Sequence, residues 1–211
     1  MIGKIIEVEN ILDSDFNDSI IETLKVQRSW QIDPIDSIYP VDTKFQEHYY
    51  AEKYSDSGFI LQSYSKYQDE YMNTHNNNLN VIAKLIVASF LKKLQKGGVI
   101  FDEIDVNRFY WNYYNRSSCG KWHQDFNEPN FCSLIYYLNT CDGYTEFEDR
   151  KIISNAGKAV MFDSHLWHRG MGPTKNQQRY TLNIIFEYKL SPNCMKSTNE
   201  YNRKVSRSSK K

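Results

Sequence analysis

The chain has 211 residues, with 26 Lys and Arg against 26 Asp and Glu, so its formal net charge at neutral pH is zero. Hydrophobic residues make up 40%, while aromatics reach 15% through 16 Tyr, 11 Phe and 4 Trp. This length suits one domain, or one domain with an extension. Nine Gly and five Pro exclude collagen-like and low-complexity classes, and a zero total gives no support to a wholesale nucleic-acid binder. The zero is unevenly spread. From Leu190 onward the basic residues Lys196, Arg203, Lys204, Arg207, Lys210 and Lys211 face one acid, Glu200, a surplus of five positive charges that residues 1–189 balance with five negative ones.

No apolar run approaches the ~18 residues of a membrane span. Met1 to Asn10 carries acids and lacks the apolar core of a secretory signal. The cysteines Cys119, Cys132, Cys141 and Cys194 form no C-x-x-C pair, and are expected as free thiols of a reducing compartment, with the cytosol (a cytoplasmic location) as the default.

In chain order, Asp13 to Val26 opens on capping candidates and places Phe16, Ile20, Ile21 and Leu24 at helical spacing, which predicts a helix. Residues 27–57, broken by Pro34 and Pro40, read as irregular, and Tyr71 to Asn80 as a polar turn or loop. Leu79, Ile82, Leu85, Ile86, Phe90, Leu91 and Leu94 form the stripe of a long amphipathic helix ending at Gly97-Gly98, expected to lie against a sheet. Val106–Tyr114, Cys132–Leu138, Lys158–Phe162 and Arg179–Tyr188 read as strands separated by turn clusters, the pattern of a sandwich or barrel. The predicted organisation is a helical and irregular region over 1–98, a β core over 99–190, and a basic, disordered tail over 191–211.

The chemistry concentrates after Gly120. His123 and Asp125 lie two apart in Trp122-His123-Gln124-Asp125, and on an extended strand such a pair shares one face and can grip one ion. His168 or His165 can supply a third ligand. Two His and one carboxylate on one face leave three open positions, the arrangement of non-haem Fe(II) oxygenases. Arg179 opens an apolar strand, where a buried guanidinium needs an anion, either a protein acid or a ligand carboxylate. Thr181, on the same strand face, can add a hydroxyl. His48 and His75 lie in polar surroundings and are not expected as ligands, and Trp122 and Trp167 belong to the mouth or to the core.

From Tyr114 to Tyr188 the chain resembles the catalytic core of the Fe(II)/2-oxoglutarate-dependent dioxygenases, in their prolyl-4-hydroxylase-like branch. Four elements carry the resemblance in order: an aromatic strand and Gly turn into His123-Gln124-Asp125; Tyr136-Tyr137-Leu138-Asn139 with Asp142-Gly143-Tyr144-Thr145-Glu146-Phe147; Gly157-Lys158-Ala159-Val160-Met161-Phe162; and His168-x-Gly170 followed by Arg179-Tyr180-Thr181-Leu182. The resemblance implies an α+β, mainly β fold, a double-stranded β-helix (jelly-roll) flanked by N-terminal helices. It implies Fe(II) on His123, Asp125 and His168, with His165 as rival, and 2-oxoglutarate and O2 as cosubstrates. Arg179 would pair with the distal carboxylate of 2-oxoglutarate, with Thr181, Tyr137 and Tyr114 (rival, Tyr113) as further contacts. Tyr144 stands where the family has a second Gly, a departure expected to narrow or reshape that strand. Asp125 is the carboxylate that related halogenases lack, which points to hydroxylation. The expected enzyme hydroxylates a C–H bond of a peptidyl or small-molecule substrate and releases succinate and CO2. Its substrate wall would come from residues 27–78 and the Phe126–Phe131 loop. The alternatives are a nucleic-acid-modifying oxygenase of the same class, using the basic tail, and a non-catalytic β-barrel module that keeps a metal site.

Overall fold

The structure is a computed structural model, and it describes residues 5–27, 31–32, 59–66, 77–116, 118–175 and 178–191. The predicted basic tail, most of the irregular region 27–57, and His48, His75 and Cys194 lie outside these residues.

The first helix, α1 (Ser14–Lys25), starts where Asp13 accepts a hydrogen bond from the Phe16 N–H at 2.8 Å, the side-chain cap that satisfies an otherwise orphaned donor. Ile20, Ile21 and Leu24 are buried, as the spacing predicts, but Phe16 is 36% exposed. In its place Asn17 turns inward and accepts a hydrogen bond from the Tyr136 hydroxyl at 2.5 Å. The long helix α2 (Asn77–Lys96) begins inside the expected polar turn: Asn77 and Asn78 are its first residues. It buries Leu79, Ala83, Ile86, Val87, Phe90 and Leu94. At its end Val99 N–H returns to Leu94 C=O and Gly98 N–H to Gln95 C=O, both at 3.0 Å, which closes the helix with paired carbonyls.

The strands are β1 (Ile6–Val8), β2 (Gln31–Ile32), β3 (Phe59–Ser65), β4 (Phe101–Asn115), β5 (Phe131–Tyr137), β6 (Tyr144–Phe147), β7 (Lys151–Ile153), β8 (Ala159–Asp163), β9 (His168–Met171) and β10 (Gln178–Leu190). A seven-stranded sheet runs β1-β8-β5-β10-β4-β3-β2, and a three-stranded sheet runs β7-β6-β9. Each described pairing is antiparallel. Together they form the expected jelly-roll.

Strand alternation divides the large sheet chemically. On β10, Tyr180, Leu182, Ile184, Phe186 and Tyr188 join the main core with Phe109, Trp111, Leu134 and Tyr136, against the helices. The alternate residues Arg179, Thr181, Asn183 and Ile185 face the barrel interior, where Ile135, Tyr137, Phe147, Ile152, Val160 and Phe162 form a second, smaller cluster. Both faces of β10 are therefore buried over most of its length, which explains its near-continuous apolar sequence.

Three expectations are corrected. His168 does not enter a turn, because residues 168–171 form β9. His123 and Asp125 are not on a regular strand; His123 makes one isolated bridge to His168. Residues 27–57 are not wholly irregular, since Gln31–Ile32 pairs with β3. The Tyr144 ring packs under the Lys151 ammonium, 4.7 Å from the centroid, on the opposite side of β6 from buried Thr145. Strands β1, β6, β7 and β9 have only three or four residues, too few for an alternating pattern to stand out.

Candidate metal and cosubstrate site

The segment 118–125 lies beside β9 as an irregular continuation of the small sheet. Gly120 N–H bonds to Gly170 C=O at 2.8 Å, and His123 and His168 exchange both backbone hydrogen bonds at 3.0 Å. This ladder brings the two histidines together across 45 residues of sequence, with ring centroids 4.4 Å apart. Asp125 reaches between them, its Oδ1 3.7 Å from His123 Nε2 and its Oδ2 3.4 Å from His168 Nε2. These three ligand atoms lie within 4.8 Å of one another, a spacing that suits one metal ion. His165 is not in the cluster; its carbonyl instead accepts from Gln124.

The tautomers follow from the partners. His123 Nδ1 is 2.8 Å from Lys121 C=O and His168 Nδ1 is 2.9 Å from Leu166 C=O. A carbonyl only accepts, so each Nδ1 carries the hydrogen and each Nε2 presents a lone pair to the cluster. Burial, helped by the nearby His123, pushes His168 down to about 4, so its imidazole is neutral at pH 7. Burial alone would raise Asp125, but the neighbouring His168 and His123, with Arg108, hold it well below the usual carboxylate range. The Ser133 hydroxyl donates to Asp125 Oδ2, and Asn183 Nδ2 donates to Oδ1 at 3.3 Å. Ser133 is linked in turn to Ser164 at 2.9 Å.

At the other end of β10, Arg179 is 1% exposed. Its guanidinium sits 4.9 Å from the ring centroid of Tyr114 and 5.4 Å from that of Tyr137. One N–H, from Nη2, donates to Thr145 Oγ1 at 3.0 Å, while Nε and Nη1 have no partner among the described residues. The Tyr137 hydroxyl also donates to Thr145 Oγ1, at 2.8 Å. Thr145 thus uses both lone pairs as an acceptor, and its own O–H is free to donate to an anion. Burial pushes the Tyr137 phenol up, so it remains a donor. A Cβ on Gly143 would stand 2.8 Å from Arg179 Cδ, so the close approach of this arginine requires glycine there.

Of the residues read from sequence, His123, Asp125 and His168 form one cluster, and Arg179, Tyr137 and Tyr114 another on the same interior face. Tyr113 points to the opposite face and packs on Tyr180, with centroids 5.1 Å apart. Thr181 is buried and accepts from Asn112 Nδ2 at 3.3 Å; the direct hydroxyl partner of Arg179 is Thr145. Trp122 lies beneath the Arg169 guanidinium at 4.9 Å, and Trp167 lines a 430 Å³ groove with Ile5, Phe147 and Leu166. Strand alternation in the sequence puts Asp163 and Asn183 near the pocket without a role, while sequence reasoning missed Ser133, Thr145 and Arg108 as contributors. The signal for Ser133 and Asn183 was present, as each is a polar residue inside an otherwise apolar strand.

The jelly-roll thus carries a His-x-Asp and distal His cluster able to hold one metal ion, and a buried arginine on the same interior face. Residues 109–187 match the family model of the 2OG-Fe(II) oxygenase superfamily. Similar solved structures include the viral collagen prolyl hydroxylase of Paramecium Bursaria Chlorella virus-1 in complex with 2OG (15% identity, TM-score 0.51, covering 87% of this chain and 96% of that one). A Pseudomonas putida prolyl-4-hydroxylase matches at 12% identity and TM-score 0.53, over 88% and 92% of the two chains. A Trichoplax adhaerens prolyl hydroxylase in complex with a hypoxia inducible factor peptide matches at 13% identity and TM-score 0.53, over 87% and 84%. Comparison with curated proteins returns no match. Among the described residues no helix is long and apolar enough to cross a membrane.

Proposed function

We propose that this protein is an Fe(II)/2-oxoglutarate-dependent hydroxylase in which His123, Asp125 and His168 hold the iron and Arg179 holds the distal carboxylate of 2-oxoglutarate. The observation that carries the reading is the Arg179 guanidinium, fully buried with two unpaired nitrogens and no carboxylate partner among the described residues. An unpaired buried charge is expensive, and a planar fork aimed at no protein acid fits a ligand carboxylate. The donor set fits Fe(II) by its chemistry: two neutral imidazoles and one ionised carboxylate on one side. When bound, iron with 2-oxoglutarate and O2 supplies the oxidative decarboxylation to succinate and CO2 that is coupled to C–H hydroxylation.

The remaining work belongs to the chain. Lys121 and Leu166 carbonyls fix the imidazole tautomers, and Ser133 and Asn183 hold the Asp125 carboxylate in orientation. Thr145 adds its free O–H to the Arg179 fork, while Tyr114 and Tyr137 flank the guanidinium and exclude water from it. Tyr114 and Thr181 complete the proposed cosubstrate set. The paired metal and anion sites favour this reading over a barrel that merely retains a metal, since such a module has no use for Arg179. The test is succinate release from 2-oxoglutarate with Fe(II), for the natural chain, His123→Ala and Arg179→Ala. Both variants are expected to lose at least about 100-fold; full activity in both overturns the assignment.

A further inference from the structure

A second arginine lies on the inner face of the sheet. The β4–β10 ladder runs without a shift from Tyr114 opposite Arg179, through Asn112 opposite Thr181 and Tyr110 opposite Asn183, to Arg108 opposite Ile185. Alternation therefore puts Arg108, Tyr110, Asn112 and Tyr114 on one face, away from Phe109, Trp111 and Tyr113, which join the main core. Six residues of strand separate Arg108 from Tyr114 by about 20 Å. The metal cluster lies between the two arginines, because Asp125 is bonded both to Asn183 through its carboxylate and to Arg108 through its carbonyl. The cosubstrate occupies the Arg179 side, which leaves the Arg108 side to the substrate.

Two polar side chains on that side each have one buried atom without a hydrogen-bond partner among the described residues. Arg108 donates one N–H, from Nη2, to Asp125 C=O at 3.0 Å, its Nε is unpaired, and no described acid forms an ion pair with it. Its guanidinium is held 4.6 Å from the Tyr110 ring centroid, so the fork is pre-oriented. Asn183 is 8% exposed and its Oδ1 is unpaired. The orientation of this amide is fixed, because its Nδ2 must face the Asp125 carboxylate, which only accepts. Arg108 and Asn183 are diagonal neighbours across the ladder, about 7–8 Å apart at Cα. The face beside the metal thus offers a cation that wants an anion and, one diagonal away, an acceptor that wants an N–H. Charge leads to the same place. A divalent iron, ionised Asp125, a dianionic cosubstrate and Arg179 cancel, and Arg108 is left uncompensated.

We propose that Arg108 and Asn183 form a substrate subsite across the metal cluster from Arg179, and that it takes an amino-acid-like ligand. Such a ligand carries a free carboxylate for Arg108 and a neighbouring N–H for Asn183. This rests on the oxygenase reading above. A residue in the middle of a polypeptide has no main-chain carboxylate, so an α-carboxylate for this subsite has two sources: a free amino acid or the C-terminal residue of a peptide.

The test uses the full chain loaded with Mn(II) and N-oxalylglycine, an inert 2-oxoglutarate analogue, and reads binding by calorimetry. The probes are matched pairs: L-amino acids against their carboxamides, and short peptides with free against amidated C-termini. The acids are expected to bind at least about tenfold more tightly than the amides, the scale of one charge-assisted hydrogen bond. Arg108→Gln should erase that preference and Arg108→Lys should restore part of it. The free-acid and peptide arms identify which source fits. Failure of the natural chain to take up Mn(II) and the analogue sinks the oxygenase reading and the subsite with it. Normal uptake with equal affinity for acids and amides, or with no acid bound, overturns the subsite alone. Loss of Mn(II) uptake in Arg108→Gln would make Arg108 a support for Asp125 and likewise overturn it.

Discussion

Arg179→Met separates the proposed role of this arginine from a structural one, because the two readings predict opposite signs. The guanidinium is 1% exposed, makes one hydrogen bond, to Thr145, and leaves Nε and Nη1 unpaired. Replacing a poorly compensated buried charge with an apolar side chain of similar length is neutral or stabilising by about 1–4 kcal/mol. Tyr137 keeps its bond to Thr145 in the variant, so no new donor is stranded. At roughly 2–4 °C per kcal/mol for a chain of this size, a gain of about 2 kcal/mol raises the melting temperature of the metal-free protein by about 4–8 °C. Cosubstrate binding moves the other way. Two charge-assisted hydrogen bonds at about 1.5–3 kcal/mol each are removed, which weakens 2-oxoglutarate binding by about 100-fold to 10,000-fold. Thermal unfolding of the Mn(II) protein with and without 2-oxoglutarate reads both effects. The natural chain should gain about 2.7 kcal/mol at 100 times its Kd, and the variant almost nothing. A variant that melts several degrees lower without ligand, or that binds 2-oxoglutarate within tenfold of the natural chain, refutes the reasoning.

Ser133→Ala removes the hydroxyl that orients Asp125 and should weaken Fe(II) or Mn(II) binding by about 10-fold to 100-fold, with little change in the apo fold, measured by metal titration. Gly170→Ala drives a Cβ into the Tyr114 hydroxyl and ring; a cost of about 1–3 kcal/mol in chemical denaturation is expected, together with weaker 2-oxoglutarate binding. Tyr136→Phe strands the buried Asn17 amide between α1 and β5 and should cost about 1–3 kcal/mol in the same assay while leaving metal affinity intact. If instead Tyr136→Phe alters metal affinity, the separation of the two sheet faces is wrong.

The long elements were legible in the sequence and the short ones were not. Helix α2 and strands β4, β5 and β10 announce themselves through residues that must be buried, at spacing 3.6 or 2. The small sheet carries little such signal, because β6, β7 and β9 are too short for a period and are held mainly by their place against the barrel. That is also why His168 reads as the start of a turn: nothing local shows that residues 168–171 pair with β6 and with the irregular segment at His123. The candidate metal cluster was legible by residue type and order, and the ladder supplied what spacing lacked, the grouping of His168, not His165, with His123 and Asp125. Register likewise separates Tyr114 from Tyr113, since only Tyr114 stands opposite Arg179 on the interior face. Thr145 could not be assigned from sequence, because its contact with Arg179 crosses from one sheet to the other.

The distribution of unpaired polar atoms gives the site its energetic meaning. Arg108 Nε, Arg179 Nε and Nη1, and Asn183 Oδ1 all lie on the inner face of two adjacent strands. At about 1–3 kcal/mol for each buried group without a partner, they cost on the order of 4–12 kcal/mol, comparable to the whole stability of an ordinary domain. The other face of the same strands, packed with Phe109, Trp111, Leu182, Ile184 and Phe186 against the helices, supplies the burial that offsets this cost. One strand therefore serves both purposes, with alternation as the separator: Tyr180, Leu182, Ile184, Phe186 and Tyr188 stabilise the fold, and Arg179, Thr181 and Asn183 face the proposed site. A single-residue register slip in β10 would exchange the two sets and lose both at once. The unshifted stretch of the β4–β10 ladder, from Gln178 opposite Asn115 to Ile185 opposite Arg108, is thus a requirement of the site as much as of the fold.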